Sequence, residues 1–145
     1  MCSEDVTQLP NVRLRQPSRH WGEDGNLGIS DDNLNYEWYR VLHNGWQFIM
    51  LDSNSRPNYT DCSTYYPIYL KDTHPSKDTL NGTAINAIAC LRDYLHPCDI
   101  QHDVKIRKCE DEIQYFLPPT KPYSAFCLSK VSFYHVFMTC NFHLA

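Results

Sequence analysis

Seven cysteines and seven histidines in 145 residues are the side chains with the best potential to bind metal, cross-link the chain or attack a substrate. A zinc site needs Cys or His at spacings that let a loop fold back, such as two Cys separated by two residues. No such pair occurs, and the nearest set is Cys90, His96, Cys98 and His102. The same four residues also read as disulfide cysteines beside two exposed histidines, and that reading outweighs zinc. A thiol nucleophile needs a neighbouring base on a defined turn, and nothing around Cys62 or Cys127 has that form. Asp31-Asp32 and Glu110-Asp111-Glu112 are adjacent acids, which read as solvated turns and not as opposed catalytic carboxylates. Asp31, Asp32 and Asn33 offer oxygen ligands, but a calcium loop with alternating ligands and a closing Glu is missing, as is a glycine-rich phosphate loop. The expectation is a chain with no catalytic residues, no resident metal and no cofactor.

Two Asn-X-Thr sequons, Asn58-Tyr59-Thr60 and Asn81-Gly82-Thr83, fall in loop-like sequence and mark Asn58 and Asn81 as candidate glycosylation sites. Asn81-Gly82 also reads simply as a turn. Tyr65, Tyr66 and Tyr69 surround Cys62 and read either as a binding surface, where Tyr is favoured, or as cover for a small core.

The elements that must position these residues are short. A hydrophobic fraction of 42%, a charged fraction of 21% and a net charge of −4 describe one folded domain, with cross-links reinforcing a limited core. The acidic balance excludes a phosphate-backbone footprint, so nucleic acid is not an expected partner. The first ten residues, MCSEDVTQLP, show no export signal. The longest apolar run free of acidic and basic residues, 131–145, is shorter than the ~20 residues of a spanning helix and contains two His, so no membrane span is expected.

Residues 1–35 are polar and interrupted by Pro10, Pro17, Gly22, Gly25 and Gly28, which reads as an irregular arm with the folded body starting near Tyr36. Residues 36–42 and 46–51 flank Asn44-Gly45 and predict a β-hairpin. In it, Trp46, Phe48 and Met50 share one face, with Trp38 across the pair. Residues 54–66 read as loop. Residues 84–95 fit either a helix capped by Thr83 or a strand. Val104 and Ile106 alternate with Lys105 and Arg107, and 113–117 follows an acidic turn, predicting a second hairpin that Pro118, Pro119 and Pro122 end.

Beyond these local patterns, the chain resembles the eight-cysteine extracellular domain shared by uromodulin, the pancreatic zymogen-granule glycoprotein and related secreted proteins. The matching pieces come in order: Leu34 then Glu37-Trp38-Tyr39-Arg40; Cys62-Ser63-Thr64, where the family has Cys-Gly-Thr; Pro67-Ile68-Tyr69-Leu70; His74-Pro75; Cys90 and Cys98; Val104-Lys105-Ile106-Arg107-Lys108-Cys109; Tyr115-Phe116-Leu117-Pro118-Pro119; and Cys127. Ser30 stands where the family usually has Cys before the acid that is here Asp31, and the cysteine expected shortly before Cys62 is absent too. The resemblance implies a mostly β, small disulfide-rich domain of short antiparallel hairpins with irregular loops. It spans 1–128, including the arm, with 129–145 as a tail outside it. Cys2, Cys62, Cys90, Cys98, Cys109 and Cys127 are then the disulfide cysteines, in any of fifteen pairings, and Cys140 is left over. The implied function is a non-enzymatic extracellular or cell-surface interaction module, a fragment of a larger secreted glycoprotein, with an extracellular protein or glycan as partner. The alternative is an intracellular zinc-binding module built on Cys90, His96, Cys98 and His102.

Overall fold

The computed structural model describes residues 6–80 and 82–131. Period-two alternation and β-branched side chains dominate the sequence, and strands dominate the fold. In chain order these are β1 Thr7–Gln8, β2 Glu37–Arg40, β3 Leu42–His43, β4 Trp46–Met50, β5 Tyr66–Leu70, β6 Ile85–Leu91, β7 Ile100–Cys109, β8 Glu112–Leu117, β9 Ser124–Phe126 and β10 Leu128–Lys130. A single helical turn, α1 Lys77–Leu80, and 3-10 turns at Val12–Arg15, Glu23–Gly25 and Ser53–Ser55 complete the elements. Seven strands form one sheet in the order β1-β2-β8-β7-β6-β5-β9, and β10-β4-β3 form a second. The long inner strands are antiparallel, whereas the short edges β1 and β9 run parallel to their neighbours. The main core lies where Tyr39, Tyr115, Ile106, Leu91 and Ile68 of the large sheet meet Phe48, Met50 and Leu128 of the small one.

The hairpin of β7 and β8 forms as its alternation predicts, turning at Glu110, which takes a φ of 57°. Asn44 and Gly45 take φ of 50° and 78°, the positive pair that a two-residue hairpin turn requires, and Leu42 faces Gln47 across it. The first arm of that hairpin differs from the expected single strand. It divides at buried Val41: β2 joins β8 in the large sheet, and only β3 pairs with β4. Tyr39 therefore points into the core and Trp38 away from it, against Phe116 and under the Arg107 guanidinium at 3.9 Å. Trp46 stays partly exposed beneath Lys130. The ambiguous segment 84–95 resolves as strand because β6 finds a hydrogen-bonding neighbour on both sides, β5 and β7.

The largest correction concerns where the body begins. Residues 6–35 hold little regular structure, yet they deliver Leu9, Val12, Arg15, Ile29, Asp31 and Leu34 to the interior. Arg15 and Asp31 are 0% and 1% exposed and form a bidentate pair, Nη1 to Oδ2 at 2.6 Å and Nη2 to Oδ1 at 2.8 Å. Arg15 Nε also donates to the Pro10 carbonyl, and Nη1 to that of Phe126. Asp31 Oδ2 accepts the Phe126 N–H at 2.8 Å, while the backbone of Asp31 bonds Ser124 and Thr120. Ser63 clamps the arm from the other side. Its hydroxyl donates to Leu14 O at 2.6 Å and accepts from Asn26 Nδ2 at 2.7 Å, and its backbone bonds Arg19 and Ile29. Ser63 does this at a φ of 58°, a left-handed conformation, at the position where the resembling family carries Gly.

Two outcomes are expected in urea unfolding. Arg15→Met strands a buried carboxylate and should cost about 3–5 kcal/mol, and adding Asp31→Asn should recover part of that loss; strictly additive losses would show that the pair does not act as a unit. Ser63→Ala and Ser63→Gly both lose the hydroxyl bonds, but Gly also sheds the left-handed strain and should be the milder by roughly 1 kcal/mol.

Candidate functional site

Tyr69 and Cys90 face each other across β5 and β6, on the side of the large sheet opposite Ile68, Leu70, Ala89 and Leu91. Two disulfides cover that side. Cys90 joins Cys98, with Cα atoms 4.7 Å apart, folding the loop after β6 back on its strand. Cys62 joins Cys127 across 65 residues of chain, with Cα atoms 5.4 Å apart, tying the loop before β5 to the junction of β9 and β10. With Leu51 and Tyr69 they make a second buried cluster, and Tyr69 Oη donates to Pro97 O at 2.7 Å. On a chain-entropy basis the long bridge contributes about 4 kcal/mol and the short one about 2.5 kcal/mol. Cys109, buried at the end of β7, is disulfide-bonded as well. Cys2, Cys140 and Asn81 lie outside the described residues.

This pairing corrects the zinc alternative. Cys90 and Cys98 spend their sulfurs on each other, His96 turns outward to Asp93 and Asp99, and His102 sits half-buried on β7 opposite Ala89. Burial lowers the pKa of His102, and its Nε2 has no hydrogen-bond partner among the described residues. The same residues contain no cluster of three His, Cys, Asp or Glu able to hold a metal ion. Of the adjacent acids, Asp31 is sealed in its pair with Arg15, and Glu112 binds Arg40 Nε at 2.8 Å.

The segments flanking the disulfide cysteines carry a concentration of aromatic rings. Tyr65 is stacked at 4.2 Å on Trp21 and reaches Tyr66 at 5.9 Å and Tyr123 at 6.1 Å. Tyr59 contacts Tyr65, Tyr66 and, edge-on at 5.4 Å, Tyr94. Lys121 Nζ lies 5.7 Å from the Tyr66 ring. Desolvation, then the neighbouring phenols, raise the Tyr59 pKa, so this ring stays neutral, with the lysine at the margin of the face. Tyr94 is 72% exposed and Tyr123 64%. The three tyrosines around Cys62 thus part company: Tyr69 is buried with the disulfides, Tyr66 is half-buried against the main core, and Tyr65 lies among the other surface rings.

Backbone conformation sets the rings in place. Thr60, Cys62 and Ser63 all take positive φ, which coils the chain tightly around the long disulfide. Trp21 lies directly over Gly28, where a Cβ would sit 2.5 Å from its Cδ1, so only glycine admits the indole. Trp21, Tyr59, Tyr94 and Tyr123 come from four separate loops and follow no sequence period. Asn58 is exposed on the rim, in a turn closed by its N–H to Asp61 Oδ2 at 2.8 Å and its carbonyl from Asp61 N at 3.1 Å.

One chain of titratable groups lies apart from this face. Met50 N donates to Tyr115 Oη, Tyr115 Oη lies 2.8 Å from His74 Nε2, and His74 Nδ1 lies 3.4 Å from Asp52 Oδ2. Tyr115 accepts from Met50 and, with Asp52, brackets the two ring nitrogens of His74. Tyr115 is fully buried, and burial pushes its pKa up strongly, so the relay staples the end of β4 and the 71–76 loop to β8. Desolvation holds the His74 pKa below its ordinary 6.5 despite the opposing Asp52. The unfolded chain therefore takes up the proton first, and stability present above pH 6.5 falls as the pH drops toward the lowered folded pKa, by at most about 1.4 kcal/mol per pH unit. His74→Gln should flatten that slope in unfolding measured from neutral to mildly acid pH, leaving the part due to His102; an unchanged slope would remove His74 as its source.

The comparisons with known proteins agree with the cysteine framework. No curated protein matches the chain. A family model, described as the uromodulin-like eight-cysteine domain, matches residues 39–128, from the middle of β2 into β10. That match covers more than half of the sequence and includes both observed disulfides, and the chain belongs to the uromodulin-like domain family.

Proposed function

We propose that the protein is a non-enzymatic extracellular or cell-surface module that binds a protein or glycan partner through its aromatic face. The observation that carries this reading is that the two disulfides tie down the segments that carry the rings: Cys62 lies between Tyr59 and Tyr65, its partner Cys127 follows Tyr123 closely, and Tyr94 lies within the loop closed by Cys90 and Cys98. Disulfides persist in oxidising compartments, which supports a place outside the cell. Tyr and Trp are the side chains most enriched in binding hot spots, because a large ring contributes contact area at little conformational cost. Among the described residues, no helix is long and apolar enough to cross a membrane. Closure of all six cysteines, Cys2, Cys62, Cys90, Cys98, Cys109 and Cys127, and glycosylation of Asn58 and Asn81 belong to the same reading.

Two measurements test it. Material secreted from eukaryotic cells should show an intact mass about 6 Da below the fully reduced chain, and should lose its near-ultraviolet dichroism when the bridges are reduced. More than one free thiol, Cys140 being the one expected, in a protein that keeps its fold would overturn the extracellular reading. Screened against arrays of extracellular proteins and glycans, the chain should give ligands whose affinity falls by more than about 2 kcal/mol in Tyr94→Ala/Tyr123→Ala. Both residues are mostly exposed, so the fold should survive the change; ligands held equally well by the variant would place the binding surface elsewhere.

A further inference from the structure

We propose that Asn58 carries an N-linked glycan whose first sugar lies across the Tyr59 and Tyr94 edge of the aromatic face, so that the glycan sets how much of that face a partner can reach. The proposal rests on the extracellular reading above and adds a regulator to the same surface. Its first support is Thr60. A β-branched residue at a φ of 70° is strained, and Gly or Asn would suit the position better. Thr60 has no compensating side-chain bond: among the described residues its hydroxyl makes no hydrogen bond, and only its backbone is used, bonding Tyr65 and Trp21. The fold gives no reason for a hydroxyl there. The acceptor triplet Asn58-Tyr59-Thr60 does, since glycosyl transfer to Asn needs Ser or Thr two residues on. Backbone strain without a structural return is a pointer to function.

The attachment point supplies the second support. Both backbone bonds from Asn58 to Asp61 fix the turn, and the side chain is exposed. In the transfer, the Asn58 amide nitrogen attacks C1 of a lipid-pyrophosphate-linked oligosaccharide. The N–C1 bond forms as the C1–O bond breaks, the pyrophosphate leaves with the electron pair, and the amide loses one proton. The linked sugar then starts one residue from Tyr59, whose ring meets the mostly exposed Tyr94 at 5.4 Å. A pyranose has an apolar C–H face that stacks on an aromatic ring while its hydroxyls stay in water. Attachment one residue away makes the contact intramolecular, so it carries no separate association cost. An uncharged, amphipathic occupant also suits a face of neutral rings with Lys121 at its margin.

The test uses the full chain secreted behind a signal sequence from cells held at high-mannose glycans, with acetylation of tyrosine hydroxyls read residue by residue by mass spectrometry. Tyr36, exposed but outside the ring cluster, is the reference. Complete removal of the glycan with a peptide N-glycanase should raise acetylation of Tyr59 and Tyr94 relative to Tyr36 by roughly three- to tenfold, the population ratio of one stacking contact. Trimming with an endoglycosidase that leaves a single sugar should keep the protection. An unoccupied Asn58 would overturn the proposal, as would acetylation indifferent to complete removal, or protection lost equally on trimming. None of these three results bears on ligand binding by the face itself, which the Tyr94→Ala/Tyr123→Ala variant reads separately.

Discussion

Two opposite charges, removed from water and locked in bidentate contact, set the geometry of half this molecule. Burying a guanidinium and a carboxylate costs several kcal/mol for each ion unless nearly every donor and acceptor is satisfied. For Arg15 and Asp31 the partners are the carbonyls of Pro10 and Phe126 and the N–H of Phe126, so segments distant in sequence must meet at one point. The arm is thereby held along β9, which has only three residues and pairs with β5 alone on its other side. Fixing Phe126 fixes Cys127, the next residue, and with it the partner that Cys62 must find. The ion pair and the long disulfide thus hold adjacent residues, Phe126 and Cys127, at the end of the edge strand.

The same geometry accounts for a departure from the family pattern. The resemblance puts a cysteine where this chain has Ser30. Here the Ser30 hydroxyl donates to Asp32 and accepts the Tyr123 N–H at 3.0 Å, so the position still ties the arm to the segment entering β9. A hydrogen bond contributes about 1 kcal/mol against about 2–4 kcal/mol for a disulfide. The neighbouring Asp31 holds the arm to the same segment through its ion pair and its backbone bonds to Ser124 and Thr120. The family match begins at Tyr39 and leaves out the arm, yet the arm covers the sheet edge on which the matched region depends.

What was legible in the sequence follows from what is local. β7 and β8 announce themselves through strict alternation, and the turn between β3 and β4 through Asn44-Gly45, because both signals reside within a few residues. β6 is ambiguous in isolation, since Ile85, Ile88 and Leu91 suit a helix as well as a strand; the choice comes from neighbours on both sides, which no window contains. The arm escapes for a related reason. Its buried residues follow no period, and two of them, Arg15 and Asp31, are charged residues that hydropathy assigns to the surface. Cysteine types and order identify the family, while the pairing of Cys62 with Cys127 and of Cys90 with Cys98 needs the register of β5, β6 and β9. Trp21, Tyr59, Tyr94 and Tyr123 meet only in three dimensions, and Gly28 is the nearest thing to a local signal, as the residue that leaves room for an indole.

Why so many rings are left open to water has a structural answer. The large sheet has two faces, and a chain of 145 residues fills one of them with an ordinary apolar core. Over β5 and β6 the other face is covered by sulfur, which is compact, so the disulfides seal Tyr69 and Cys90 without extending outward far enough to bury a further layer of side chains. Tyr59 and Tyr65, in the loop before β5, then pack on one another and on Tyr66 at the start of that strand. Positive φ at Thr60, Cys62 and Ser63, together with the bridge to Cys127, holds that loop before any ligand arrives. A surface ordered in advance loses little entropy on binding, so under the proposed binding role the cross-links that reinforce the core would also lower the cost of partner contact at these rings.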